Sequence, residues 1–100
     1  MRIQLLGPLQ VTDADGAPVD LGGARLRVLL TALALDADRP VSAAGLIETL
    51  WPDGDGPGNP ANALQALVSR LRAALGRELV AATPTGYRLA LDPAEIDVHR

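Results

Sequence analysis

Asn59-Pro60-Ala61-Asn62-Ala63-Leu64-Gln65-Ala66-Leu67-Val68-Ser69-Arg70-Leu71-Arg72-Ala73-Ala74-Leu75-Gly76 decides how the chain folds, because its ends and its period all specify one helix. Asn59 is a good N-cap, Pro60 takes the first helical position, where a missing N–H is harmless, and Gly76 closes the far end. Leu64, Leu67, Val68, Leu71 and Leu75 recur at helical spacing and form an apolar stripe that must face a core. At about 100° per residue the opposite arc holds Asn62, Gln65, Ala66, Ser69 and Ala73, with Arg72 on one flank and Arg70 on the other. That face suits the major groove of DNA: Asn or Gln pairs with adenine through two hydrogen bonds, Arg does so with guanine, and small side chains let the backbone approach. It equally fits the solvated side of an ordinary amphipathic helix.

One hundred residues, 48% of them hydrophobic, allow one small domain with a real core. The absence of cysteine excludes disulfides and thiolate metal sites and suits a reducing cytoplasm. No apolar run reaches the length of a membrane span, and the first ten residues do not resemble a signal peptide. A formal net charge of −3 argues at first sight against a nucleic-acid partner, but its distribution is uneven. Residues 1–59 sum to −4 and residues 92–100 to −2, whereas residues 60–91, with Arg70, Arg72, Arg77 and Arg88 against Glu78, sum to +3. Every basic side chain is Arg, a usage that fits a GC-rich genome.

Around the deciding helix, residues 1–12 alternate apolar and polar on either side of Gly7-Pro8, predicting two short strands. Asp13-Ala14-Asp15-Gly16 reads as a turn; its glycine comes too early for a calcium loop and no glutamate ligand follows. Val19-Asp20-Leu21 is expected to return as a third strand. Ala24 to Leu35 forms the first helix, buried through Leu26, Leu29, Leu30 and Leu33. Gly22-Gly23 lacks the partners of a phosphate loop and reads as a backbone turn. Val41 staples the start of a second helix, capped by Ser42, running to Trp51 and stopped by Pro52. Trp51, in a chain without phenylalanine, reads as a core anchor in preference to a base-stacking residue.

Pro52 to Asn59 is an acidic, glycine-rich connector, too long for a minimal helix-turn-helix turn and, with Asp53 and Asp55, repelled by phosphate. After Gly76, Arg77 to Ala82 and Tyr87 to Leu91 read as two strands joined by the turn Thr83-Pro84-Thr85-Gly86. Helices followed by a hairpin make a winged helix, whose wing lies along the DNA backbone beside the groove that the last helix enters. Arg88 and Thr85 are the expected wing contacts, and Arg70, Arg72, Arg77 and Arg88 are expected to share one edge. The expected fold is therefore α+β, a winged helix-turn-helix with N-terminal antiparallel strands, three helices and a C-terminal β-hairpin wing.

The order of these elements, with Leu5-Leu6-Gly7-Pro8-Leu9 in the opening strands, Leu50-Trp51-Pro52 closing the second helix, Ala63 to Arg72 in the third and Gly86-Tyr87-Arg88-Leu89 in the wing, resembles one family. It is similar to the DNA-binding domain of the Streptomyces antibiotic regulatory proteins, a branch of the OmpR/PhoB winged-helix class. The resemblance implies a cytoplasmic transcription activator, tied to secondary-metabolite genes such as those for antibiotics. Such an activator binds double-stranded DNA at promoter direct repeats in tandem and recruits RNA polymerase. Asp53 and Asp55 are the candidate polymerase contacts. It also implies a domain over residues 1–92, then a linker and the opening of a bacterial transcriptional activator domain over residues 93–100. No phosphoacceptor receiver is expected ahead of the domain. The DNA-contact set is Asn62, Gln65, Ala66, Ser69, Arg70, Arg72, Arg77, Thr85 and Arg88.

An enzyme is the poorest alternative: His99 stands at the tail beside no nucleophile, the carboxylates sit in turns, and no catalytic residue, cofactor or metal is expected. The rival is a winged helix used only for protein–protein interaction, since fold does not fix function. The arginines on and after the third helix favour DNA.

Overall fold

The computed structural model describes residues 1–54 and 56–99. Its elements are β1 (Arg2–Gln4), β2 (Gln10–Thr12), α1 (Ala24–Leu35), β3 (Val41–Ser42), α2 (Ala43–Leu50), α3 (Pro60–Leu75), β4 (Val80–Ala82) and β5 (Gly86–Leu89). β1 and β2 pair antiparallel, and a second sheet has the order β3-β5-β4, also antiparallel. The α+β winged-helix fold is thus the observed one.

The helix boundaries follow the capping chemistry. The Asn62 N–H donates to Asn59 Oδ1 at 3.1 Å, and Gly76 ends α3 at φ 106°. The Gly45 N–H donates to Ser42 Oγ at 3.0 Å and starts α2. Each such cap stabilises its helix by about 1 kcal/mol. Leu26, Leu29, Leu30 and Leu33 of α1 pack with Leu46 and Leu50 of α2 and with the α3 stripe Leu64, Leu67, Val68, Leu71 and Leu75, while Val80 and Leu89 close the core from the hairpin. Trp51 is half-buried at the end of α2 under the Arg25 guanidinium, 5.8 Å from the ring centroid, and Arg25 also donates to the Leu50 carbonyl. It anchors the corner where the chain leaves α2.

Three expectations need correction. Val19 to Leu21 forms no third strand: Thr12 and Pro18 make a single bridge, the Val19 N–H reaches the Val11 carbonyl, and the proline blocks a continuing ladder. Val41 is itself a strand residue, paired with Tyr87, so the wing is three-stranded. Arg77 to Leu79 is a 3-10 turn, because the left-handed Gly76 redirects the chain before β4 can begin. At the C-terminal end, three residues contact the rest of the domain. Ile96 is fully buried and bridges Ile3, the Asp97 carboxylate accepts from the Leu5 and Leu6 N–H groups at 2.7 and 3.2 Å, and His99 Nε2 donates to the Ala34 carbonyl at 2.8 Å. Among the described residues, no helix is long and apolar enough to cross a membrane.

Candidate nucleic-acid interface

The α3 stripe that enters the core leaves the opposite face outward. Asn62, Gln65, Ala66, Ser69 and Ala73 are all exposed, and among the described residues the side chains of Asn62, Gln65 and Ser69 make no hydrogen bond within the protein. An exposed amide and hydroxyl along about 24 Å of helix is a surface that can exchange water for base edges at little cost.

The arginines on its flanks diverge. Arg70 is exposed and leans toward the start of α1: a Cβ placed on Gly23, the α1 N-cap, would lie 3.4 Å from Arg70 Nη2. A cation gains nothing from a helix N-terminus, so this position does not hold the side chain against a negatively charged ligand. Arg72 is half-buried and turned to the hairpin, where its Nε donates to the Val80 carbonyl at 3.0 Å and its guanidinium lies 6.0 Å from the centre of the Tyr87 ring. This contact fixes the end of α3 against β4 and β5. Beyond it, Ser69, Arg72, Ala73 and Arg77 line one shallow cavity of about 440 Å³, a hydroxyl and two guanidinium groups with no carboxylate among them. Such a donor set matches an oxyanion.

The wing is held by its own hydrogen bonds. The Gly86 N–H donates to Thr83 Oγ1 at 3.0 Å, the Thr83 N–H to the Gly86 carbonyl at 2.9 Å, and the Ala43 N–H to the Thr85 carbonyl at 2.9 Å. The Thr85 side chain is left at the exposed tip. Gly86 is required by close approach: a Cβ there would lie 2.0 Å from the Val41 carbonyl oxygen and 2.6 Å from the Ala43 nitrogen.

Arg88 departs from the expected common edge. Its Nη1 pairs with Asp38 Oδ1 at 2.5 Å, and the Asp38 N–H donates to the Leu89 carbonyl at 2.9 Å, so Asp38 grips β5 twice from the turn after α1. Successive strand residues point to opposite faces, so Tyr87, which meets Arg72, and Arg88 cannot share one. A pairing across fifty positions of sequence has no local pattern, and nothing in the chain's periodicity signalled it. Asp53 is exposed in the 3-10 turn Pro52–Gly54 with φ 62°; Asp55 lies outside the described residues.

A family model described as "Transcriptional regulatory protein, C terminal" matches residues 16–89. Among curated proteins, the transcriptional regulatory protein EmbR of Mycobacterium tuberculosis is 39% identical over 102 residues, covering 96% of this chain and 26% of EmbR. The transcriptional regulator RedD of Streptomyces coelicolor is 34% identical over 109 residues, covering all of this chain and 30% of RedD. The regulatory protein AfsR of Streptomyces griseus is 29% identical over 98 residues, covering 98% of this chain and 10% of AfsR. A solved structure of M. tuberculosis EmbR in complex with a low-affinity phosphopeptide superposes with a TM-score of 0.90 at 36% identity, over 98% of this chain and 27% of that one. The chain therefore spans about a quarter of the length of EmbR.

Proposed function

Because the chain belongs to the family of C-terminal domains of transcriptional regulatory proteins, the OmpR/PhoB-type winged helix in its Streptomyces antibiotic regulatory protein branch, we propose that it reads promoter DNA through α3. The observation that supports this most is the outward face of that helix, where Asn62, Gln65 and Ser69 stand exposed among alanines. In this reading α3 lies in the major groove, Gln65 and Arg70 make base contacts, and Asn62, Ala66 and Ser69 allow close approach. Arg72 and Arg77 hold a backbone phosphate beside Ser69, and Thr85 meets the backbone from the wing. Arg88 is given a positioning role, since Asp38 already neutralises it.

The domain offers one helix and one wing, hence few phosphate contacts, and so is expected to bind direct repeats in tandem. We place the junction with a following activator segment after His99, because Ile96 belongs to the core. The regulator acts in the cytoplasm on secondary-metabolite genes, recruits RNA polymerase through the loop that carries Asp53, and performs no catalysis. Fluorescence anisotropy of the domain on duplexes with one and two repeats, across a salt series, tests this. Affinity should fall steeply with salt and rise with the second repeat; binding independent of both would remove the reading.

A further inference from the structure

Arg72 serves two strands of the wing at once. It stands in the last turn of α3, where its Nε donates to the Val80 carbonyl of β4 at 3.0 Å and its guanidinium lies 6.0 Å from the centre of the Tyr87 ring on β5. Both points are themselves fixed. Tyr87 sits on the central strand of its sheet, paired with Val41 on one side and Ala82 on the other, and Val80 is buried opposite the buried Leu89.

A guanidinium carries five N–H donors, and the Nε bond uses one. Among the described residues the other four, on Nη1 and Nη2, meet no acceptor within the protein, and neither Arg72 nor Arg77 has a carboxylate partner. Yet the Arg72 side chain is half-buried. Half-burial strips water from donors that the protein leaves unpaired, a cost that an oxyanion offsets. Arg72 borders the cavity of about 440 Å³ together with Ser69, Ala73 and Arg77. Ser69, Arg72 and Ala73 fall at i, i+3 and i+4 on one edge of α3, and Gly76, at φ 106°, turns the chain so that Arg77 returns to that edge.

A free arginine loses rotamer entropy when it grips a phosphate, and holding it beforehand in the bound geometry removes that cost. Lysine cannot substitute, because its ammonium is a single point, whereas a planar fork holds the Val80 carbonyl with one edge and an oxyanion with the other.

We infer that Tyr87 and the Val80 carbonyl are the positioning groups of the phosphate site: they hold Arg72 with its Nη edge to the cavity, so that the wing sets how tightly α3 grips the DNA backbone. The inference rests on the reading that Arg72 meets a backbone phosphate, and adds that wing and reading helix engage the backbone as one unit. Linkage makes the coupling reciprocal, so a phosphate in the cavity also steadies β4 and β5.

Binding to a promoter duplex over a salt series separates positioning from contact. Each variant is first checked for a parental fold by circular dichroism at the assay temperature. Arg72→Ala removes the contact, so the slope of log Kd against log salt should fall by about 0.9. Tyr87→Leu keeps the charge but loses the ring; it should weaken binding roughly three- to tenfold at an unchanged slope, the cost of ordering a freed side chain. Arg72→Lys should weaken binding by a similar factor, also at an unchanged slope, because it retains the charge without the second edge. Tyr87→Phe, which keeps the ring face, should stay within about twofold of the parent. When Arg72→Ala is combined with Tyr87→Leu, the leucine should add nothing to the loss from the alanine. A loss from Tyr87→Leu that persists in full beside Arg72→Ala, or an equal loss in Tyr87→Phe, would make Tyr87 a DNA contact in its own right and overturn the positioning. Parental affinity in Arg72→Lys would reduce Arg72 to a point charge and overturn it as well, even if the leucine variant failed to fold. Parental affinity and slope in Arg72→Ala would instead remove the reading beneath, that Arg72 meets a phosphate.

Discussion

Substituting Gly86→Ala should detach the wing from the body of the domain. The added methyl would stand 2.0 Å from the Val41 carbonyl oxygen, 2.6 Å from the Ala43 nitrogen and 2.8 Å from the Ser42 carbonyl carbon, all backbone atoms that no rotamer change can move. β5 must therefore shift away from β3. The Ser42–Gly86 and Val41–Tyr87 pairs and the hydrogen bond from Ala43 to Thr85 are lost together. At about 1 kcal/mol for each hydrogen bond, and two or three of them affected, the loss is about 2–3 kcal/mol. For a domain of this size each kcal/mol lowers Tm by roughly 4–8 °C, so the variant should melt about 10–20 °C below the parent by circular dichroism. Operator affinity should fall with it even at temperatures where the variant is folded, because the wing no longer sits beside α3. A Tm within about 2 °C of the parent would refute the packing that assigns Gly86 this role.

Arg88→Ala should cost only about 0.2–1 kcal/mol, as its pair with Asp38 is partly exposed, and should leave the salt dependence of DNA binding unchanged; a slope reduced by about 0.9 would instead make Arg88 a phosphate contact. Ile96→Ala should destabilise the domain by about 2–5 kcal/mol in urea unfolding, since the side chain is fully buried; a loss under about 0.5 kcal/mol would return residues 93–99 to the status of a linker. Asp53→Ala in the full-length activator should preserve operator affinity while lowering transcription in a purified system, and normal transcription would leave the loop a connector.

The parts of the fold legible in the sequence were those governed by local chemistry. Asn59, Pro60 and Gly76 bounded α3, Ser42 capped α2, and the leucine periods named the stripes that the core contains. What escaped was set by contacts distant in sequence. A two-residue strand at Val41 has no period to recognise, and it exists because β5 offers it an edge. Ile96 is buried where it bridges Ile3 of β1, more than ninety positions away in sequence. The same division runs through the candidate site. The exposure of Asn62, Gln65, Ala66 and Ser69 followed from helix geometry alone. Grouping four arginines by charge did not reveal that Arg72 is bonded to Val80 and Arg88 to Asp38.

The most direct test of DNA reading by α3 is a titration of the parent, Gln65→Ala and Arg70→Ala against a promoter duplex and an unrelated duplex at fixed salt. The parent should prefer the promoter. Both side chains are exposed and outside the core, so both variants should keep the parent's Tm. On the promoter each should lose about 1–3 kcal/mol, roughly 5- to 150-fold in Kd, and Gln65→Ala should bind the unrelated duplex as the parent does. Parental affinity and parental discrimination in both variants would contradict the assignment of α3 as the reading helix.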